Sequence, residues 1–311
     1  MDRPSRSTES TAIEEEKSRS HGDPDDRSTV HDVLIVGGGV AGLSAATFTA
    51  RAGLKTVVAT AGESILNRNA HIENFSGFPA GINPRLLLEL QRSQASRNGA
   101  ELRRVRVVSL ERVNSGEETE GDDAPDRNAR FVATIEPERP ASESGVEGNT
   151  TPEADGDRRT IAADHVIAAS WSDASYLEPA GTDLRDAGSK TYVQDDGHGR
   201  TSIDGLYAAG RLAEQYHQAI VAAGDGARTA ITLIHDADVP FYHDWVTPEG
   251  YFTDRGREVP PGCVEISEAE RSARERESIA VMREYFEEPH HEPQRTHPSL
   301  VEDELGRLSE E

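Results

Sequence analysis

The sequence predicts an α/β fold: a single three-layer domain with a small β insertion and a C-terminal helical extension. Three observations predict it. The apolar run Val33–Val36 leads into closely spaced glycines and then into a small-residue helix pattern. A second segment rich in glycine and alanine occupies residues 201–230, and strand-like runs bounded by turn signals lie between the two. Strands that alternate with helices are typical of a mainly parallel sheet covered by helices.

The glycines of residues 37–42, GGGVAG, stand where a Rossmann-like dinucleotide-binding turn requires them, after a strand and before a helix. Gly37 permits the tight turn, Gly39 lets the backbone approach a pyrophosphate, and Gly42 allows the helix to pack closely on the strand. The helix N-terminus then presents N–H groups and its positive dipole end to the phosphates. The binding residues predicted in this segment are Gly37, Gly39, Val40, Ala41 and Gly42.

Three stretches carry a resemblance to a known family: VLIVGGGVAGLSAA near the start, HIENFSGFPAGI at residues 71–82, and TSIDGLYAAGR with YHQAIVAAGDGARTA within residues 201–230. Together they resemble the thioredoxin reductase-like branch of the flavoprotein disulfide reductases, over roughly residues 31–236. The resemblance implies FAD, with its ADP half over the glycine turn and its flavin near a helix that begins around Gln218. It also implies cofactor contacts at Asn74, Gly210, Gln218 and Ala219.

Two parts of that family's pattern are absent from the sequence. The run HVIAAS, residues 165–170, is followed after about 20 residues by KTYVQDDGHGRTSIDGLYAAG, with no second glycine fingerprint between them. A nucleotide-binding βαβ unit needs about 30 residues or more, so we expect the family's NAD(P)H domain to be deleted. Cys263 is the single cysteine, which excludes a C-x-x-C pair and dithiol exchange within one chain.

Three residues depart from the family pattern inside the predicted site. Thr60 stands where a ribose-binding acid is expected, and its hydroxyl cannot act as a charged two-oxygen acceptor. Arg211 stands where the family carries an acid facing the ribityl chain; we expect its guanidinium to contact a phosphate instead. Ser170 ends the turn that the family carries as ATG.

The candidate for acid–base chemistry is His217, which precedes the helix at Gln218, because imidazole is the side chain suited to proton transfer near neutral pH. A histidine satisfied by its own loop is the commoner outcome, and no other catalytic residue is predicted. The histidines at 290, 291 and 297 lie in a Pro/Glu-rich terminus without cysteine partners, so we expect a mobile tail and no metal site.

The composition restricts the partners. The formal charge is −24, with 57 acidic residues against 33 basic ones, which argues against nucleic acid. The acids are dispersed and only Lys17, Lys55 and Lys190 are lysines, which favours a halophile's solvated surface over one acidic docking patch. The chain has neither an uninterrupted apolar stretch of 18 residues nor the apolar core of a signal peptide, so we expect no membrane span and a cytoplasmic location.

The predicted organisation has three parts. Residues 1–29 contain almost no large apolar side chains and form a disordered tail. Residues 30–236 form the FAD-binding domain, from halves 31–113 and 160–236 around a hairpin insertion at 114–159. Residues 237–311 hold an aromatic-rich segment, a helix and the tail. The helix begins at a Ser267–Glu270 capping box and ends at about Glu287.

Five of the 16 aromatic residues fall within 12 residues of this extension, at 241, 242, 245, 251 and 252. Such a segment is too apolar for a free tail. Two alternatives stay open: it covers the side of the FAD domain left bare by the deletion, or it packs at a dimer interface.

Two functions remain. The first is an FAD-dependent oxidoreductase without its own nicotinamide domain, served by a small-molecule or protein electron donor. The second is a degenerate member of the fold that acts as a binding or regulatory module. The intact glycine fingerprint favours the first; Thr60, Ser170 and Arg211 favour the second.

Overall fold

The computed structural model describes residues 30–113, 129–138, 159–188, 190–241, 243–303 and 306–308. The predicted N-terminal tail lies outside the described residues. Of the predicted insertion, only residues 129–138 and Arg159 are described.

The elements alternate as the sequence predicts. In chain order they are β1 (His31–Val36), α1 (Val40–Arg51), β2 (Thr56–Thr60), α2 (Pro84–Arg97), β3 (Glu101–Arg112), β4 (Phe131–Pro137), β5 (Arg159–Ala168), β6 (Leu184–Asp186), β7 (Thr191–Val193), β8 (Leu206–Ala208), α3 (Ala219–Asp236), β9 (Trp245–Pro248), β10 (Cys263–Ile266) and α4 (Glu268–Tyr285).

The main sheet divides into two. Its parallel part runs β3-β2-β1-β5-β8, with β1 between β2 and β5. Beyond Arg104, strand β3 leaves β2 and pairs with β4, and the first half of β5 pairs with β4 from the other side, both in antiparallel register. Strands β3 and β5 therefore belong to the parallel sheet at one end and to an antiparallel meander at the other.

The two faces of β1 belong to different hydrophobic cores. Leu34 and Val36 point into the core between the parallel sheet and the meander. Val33 and Ile35 point into the core beneath α1, α2 and α3. This continuous apolar run is what a strand buried on both sides requires. Helices, parallel sheet and meander make three layers, and the predicted fold class is confirmed.

The segment between β5 and β8 is short. Its described residues hold a 3₁₀ helix, Ser175–Ala180, packed against β3, and the antiparallel hairpin of β6 and β7. Within these residues there is no α-helix and no strand–glycine–helix unit.

The extension packs along α1 and α2. Arg51 at the end of α1 binds Asp244, Arg97 at the end of α2 binds Glu277, and Phe286 lies 6.3 Å from Phe78 between ring centroids. Ser267 accepts from the backbone N–H of Glu270 and caps α4, as predicted.

The apolar side chains of the extension are less buried than expected. Phe252 is buried, at 6% exposure, but Trp245 and Tyr251 are nearly half exposed. Ile279, Met282 and the C-cap Phe286, which share one apolar stripe at helical spacing, are also exposed, and no residue of α4 is buried. Within the described residues, the apolar stripe of α4 is therefore only partly covered by the rest of the protein.

None of the helices in the described part of the chain is long and apolar enough to cross a bilayer.

Candidate cofactor-binding site

A cavity of about 1010 Å³ opens at the carboxyl ends of β1, β2 and β5. This is where ligands bind in open α/β sheets. Ten of the residues predicted for the site line it: Gly37, Gly39, Val40, Ala41, Thr60, Asn74, Arg211, His217, Gln218 and Ala219. Gly42 and Gly210 do not line the cavity; they pack behind the residues that do. No group of three or more His, Cys, Asp or Glu among the described residues is placed to hold a metal ion.

The three fingerprint glycines have different surroundings. Gly37 has φ +118°, and a Cβ there would lie 2.4 Å from the carbonyl oxygen of Ala169. A Cβ at Gly42 would lie 1.9 Å from the carbonyl oxygen of Gly37, so helix and strand touch at this point. A Cβ at Gly39 would meet no atom within 4 Å. Gly39 is therefore the glycine that faces open space in the cavity.

The first turn of α1 is free to bind an anion. Gly39 is the N-cap of this helix and provides no side-chain bond, and no acidic residue occupies the first turn. The first N–H groups of a helix have no partner within it and carry its positive dipole end. With the open space over Gly39, they fit the pyrophosphate of a dinucleotide.

Gly210 and the buried Asp225 join α1 to α3. The backbone N–H of Gly210 donates to Asp225 Oδ2 at 2.6 Å, and a Cβ at Gly210 would lie 2.8 Å from that of Ala41. Gly226 approaches the same residue, where a Cβ would be 2.0 Å from the Ala41 carbonyl oxygen. Burial raises the pKa of Asp225, although the Gly210 N–H and Arg228 favour its charged form.

Arg211 is held by protein groups. One terminal nitrogen donates to Tyr192 Oη at 2.5 Å, the other to the Gln215 carbonyl oxygen at 3.0 Å, and the guanidinium lies 5.0 Å from the centre of the Tyr192 ring. Its Nε is buried and has no partner among the described residues. Arg211 thus borders the cavity and also joins it to the β6–β7 hairpin.

Thr60 and Ser170 pack at the edge of the glycine turn. A Cβ at Gly38 would lie 2.5 Å from Thr60 Oγ1, so this hydroxyl rests directly on the turn. Ser170 Oγ donates to the Asp173 carbonyl oxygen at 2.6 Å and lies 3.0 Å from Tyr176 Oη. Tyr176 is buried, which raises the pKa of its phenol.

The opposite end of the cavity contains the residues expected near a flavin. Asn74 Nδ2 donates to Gln218 Oε1 at 2.7 Å, which joins the HIENF stretch to the N-terminus of α3. Gln218 is the N-cap of α3, and its side chain makes no capping hydrogen bond. The backbone N–H groups in the first turn of α3 are therefore also free for a ligand.

Trp171 is a lining residue that the sequence did not single out. Its φ is +67°, which is uncommon for a residue with a side chain, and its ring lies 4.7 Å from that of His217. Strained backbone of this kind is concentrated at ligand sites. The signal available in the sequence was its position directly after Ser170.

The charge of the lining is the reverse of the charge of the chain. Eight charged side chains line the cavity, five of them arginines: Arg68, Arg92, Arg106, Arg211 and Arg295, against Glu63, Glu73 and Asp173. The lining sums to +2, in a chain with formal charge −24. Arginine favours anionic ligands through its fork of N–H donors, so the site is suited to phosphate.

Comparison with known proteins identifies the cofactor. Residues 32–71 match the family model described as an FAD binding domain. This match confirms the predicted cofactor, FAD, and falls on the glycine turn and the residues after β2.

The curated relatives are thioredoxin reductases, similar over one part of the chain. The enzyme of Streptomyces coelicolor is 44% identical over 88 residues, which are 27% of this chain and 27% of that protein. The enzyme of Aquifex aeolicus is 42% identical over 84 residues, 26% of each chain. The chain thus spans about a quarter of the length of the curated relatives it matches.

Solved structures show the same fold. Thioredoxin reductase from T. acidophilum aligns with a TM-score of 0.51 at 17% identity, over 67% of this chain and 99% of that one. An oxidoreductase from Agrobacterium tumefaciens aligns with a TM-score of 0.51 at 15% identity, over 67% and 99% of the two chains.

Proposed function

We propose that this protein is an FAD-dependent oxidoreductase of the thioredoxin reductase-like group that has no nicotinamide domain of its own. A diffusing reductant or a protein partner supplies its electrons. The observation that carries the proposal is the cavity itself, in which the open Gly39 and the uncapped N-termini of α1 and α3 stand at the two ends of one arginine-rich space.

Different residues bind the pyrophosphate and the flavin end of FAD. The N–H groups of Val40 and Ala41 bind the pyrophosphate, where Gly39 leaves room for it. Gln218 and Asn74, already joined by a hydrogen bond, orient the flavin end. FAD, when bound, supplies the electron-transfer chemistry of the site.

The residues around the flavin end also support redox chemistry. The dipole of α3 favours negative charge at its N-terminus and so stabilises a reduced cofactor there. His217, adjacent to that N-terminus and in contact with Trp171, is placed to move a proton.

The separate electron donor is supported by the segment between β5 and β8. Its described residues hold a 3₁₀ helix and a two-stranded hairpin at the place where we infer the deletion. Cys263, the single cysteine, lies on β10 and outside the cavity lining, so we propose electron transfer without a dithiol pair.

A second candidate, a module of the same fold without redox activity, is favoured by Arg211. Both terminal nitrogens of this side chain already have protein partners. Such an arrangement also fits a residue that stabilises the β6–β7 hairpin and leaves the cofactor uncontacted.

The visible spectrum of protein purified in high salt tests the proposal. We expect the bands of oxidised flavin, their loss on anaerobic photoreduction and their return with an acceptor. Mass spectrometry of the heat-released cofactor should identify FAD. Protein that stays colourless after incubation with excess FAD would contradict the proposal, and bound FAD that resists reduction would favour the second candidate.

A further inference from the structure

A cluster of buried polar side chains closes the cavity beside β2. Glu63 lines the cavity three residues after Thr60, and its Oε2 accepts from the side-chain amide of Asn67. The same oxygen lies 3.1 Å from Nη1 of Arg295. Asn67 and Arg295 are 5% and 8% exposed, so the two groups that hold Glu63 are themselves fixed by their surroundings.

Arg295 belongs to a part of the chain far from the fingerprint. We call residues 290–303 and 306–308 the C-terminal strap. Two contacts anchor the strap. His290 Nε2 lies 3.1 Å from Glu89 Oε2, and Gln294 Oε1 accepts a hydrogen bond from the buried Arg85 at 3.2 Å. Arg85 in turn donates to the Asn67 carbonyl oxygen at 3.1 Å. The strap and the loop after β2 therefore form one polar network.

This network leaves one carboxylate oxygen of Glu63 free. Asn67 donates a hydrogen bond to Oε2, and Arg295 lies beside the same oxygen as an ion pair without hydrogen-bond geometry. Oε1 accepts no hydrogen bond from the described residues. The Glu63 side chain is 35% exposed. A carboxylate oriented through one oxygen presents the other, with its two lone pairs, to a ligand. Thr60 lines the same cavity but cannot do the same, because it has one neutral hydroxyl and no second oxygen.

We propose that Glu63 accepts hydrogen bonds from the ribose hydroxyls of the adenosine half of FAD, and that the C-terminal strap positions it through Arg295. This inference rests on the proposed FAD site. A vicinal diol suits a carboxylate because each hydroxyl donates to an anionic acceptor. The extension outside the fingerprint domain is then part of the cofactor site.

The test measures binding to apoprotein by flavin fluorescence, independently of turnover. The probes are FAD, an FAD analogue with a 2′-deoxyadenosine half, and FMN, which has no adenosine. We expect wild-type protein to bind the deoxy analogue about 10- to 100-fold more weakly than FAD. Glu63→Gln should weaken FAD binding by a similar factor, lose the discrimination against the analogue and leave FMN affinity unchanged.

The strap is tested by Arg295→Met, which should weaken FAD binding about 10-fold and reduce the discrimination while FMN affinity stays the same. The matched controls are Glu270→Gln and Arg274→Met, which remove the two charges of an exposed ion pair on α4. Both should bind all three probes as the wild type does.

Several outcomes would overturn the inference. Equal affinity of the wild-type protein for FAD and the deoxy analogue would overturn it. This comparison needs no variant, so it remains valid even if Glu63→Gln fails to fold. Unchanged FAD affinity in folded Glu63→Gln would also do so, while the proposed function would stand. A wild-type protein that binds no FAD overturns both.

Discussion

At the residue scale, glycines of one motif have unrelated functions. A Cβ added at Gly42 would clash with the carbonyl oxygen of Gly37, whereas a Cβ added at Gly39 would meet no atom within 4 Å. The spacing of the motif predicted both roles, because helix–strand contact and phosphate approach constrain different positions. Trp171 and Arg295 could not be predicted in the same way. Arg295 reaches the cavity from a distant segment, which no local pattern encodes, and Trp171 follows Ser170 directly but belongs to no recognisable motif.

Gly39→Asp should abolish retention of FAD and leave the fold intact. The added carboxylate would project into open space where a phosphate binds, so it adds repulsion without a steric clash in the protein. We expect at least about a 100-fold loss of affinity with an unfolding midpoint close to that of wild-type apoprotein. Flavin titration measures the affinity for FAD, and thermal melts measure the unfolding midpoint.

Gly42→Ala is the contrasting variant. Its Cβ would lie 1.9 Å from a backbone oxygen, so the domain should be destabilised by roughly 1–3 kcal/mol or more whether or not FAD is present. A stable Gly42→Ala protein would contradict the close helix–strand contact at this position, whereas a Gly39→Asp protein that keeps its flavin would show that the motif has only a structural role.

Stability should fall as the pH is lowered below about 6.5, the pKa of an unfolded histidine. His31 is 3% exposed, and burial lowers its pKa in the folded protein. The unfolded state therefore takes up its proton first, and the folded state loses stability between pH 6.5 and the lower folded pKa. The slope is at most about 1.4 kcal/mol per pH unit for this group.

The measurement is urea unfolding between about pH 7 and about pH 5, where His31→Asn should flatten the profile. His165, whose pKa burial also lowers, is left in place and accounts for residual slope. An identical profile in wild type and variant would contradict the assignment to His31.

At the element scale, buried strands were easier to predict than amphipathic ones. The apolar run Val33–Val36 predicted the position and the end of β1, because both faces of the strand are buried, and missed only its first two residues. The apolar alternation between Val105 and Leu110 indicates a strand in the sequence, but β3 begins four residues earlier, at Glu101. Its first four residues, ELRR, are mostly polar, and they pair with β2 at the edge of the parallel sheet, where side chains reach solvent.

Helix α4 should unfold locally without weakening the domain. It buries no residue, so its helicity depends on capping and on surface ion pairs such as Arg274 with Glu270. Ser267→Ala removes the N-cap bond and should cost the helix about 1 kcal/mol. Hydrogen exchange of the α4 amides should become faster, while the global unfolding midpoint stays the same. A lower global midpoint would mean that α4 belongs to the cooperative core.

At the scale of the whole molecule, a chain with formal charge −24 encloses a cavity whose lining has a net positive charge. Composition predicted the acidic exterior but not the arginine lining, because the arginines become neighbours only after folding. The same limit applies to the extension: its aromatic density was visible in the sequence, but its path along α2 to the cavity was not.

The free energy of unfolding should rise with salt. Between about 0.1 M and about 1 M KCl the Debye length falls from about 10 Å to about 3 Å, which screens repulsion between dispersed carboxylates. Denaturation by urea at several KCl concentrations measures the effect. Stability that is flat or falls over this range would contradict adaptation to a salt-rich cytoplasm.

NADPH should reduce the bound flavin slowly, whereas dithionite or light reduces it completely. The proposed enzyme has no nicotinamide domain to bring the dihydronicotinamide ring against the flavin, so the reaction lacks the advantage of a bound, oriented donor. Anaerobic stopped-flow absorbance compares the two reductants. Rapid stoichiometric bleaching by micromolar NADH or NADPH would contradict the proposal.

The order in which the chain is synthesised gives the strap one more consequence. The cavity takes its near wall from the glycine turn, its far wall from residues 211–222 and one closing side chain from Arg295. A chain still on the ribosome displays the glycine turn long before the other walls exist. Full-affinity capture of FAD must therefore wait until Arg295 has emerged and folded against the loop after β2. A translation product that stops before the strap would hold the cofactor less tightly, so full occupancy by FAD reports that synthesis has passed Arg295.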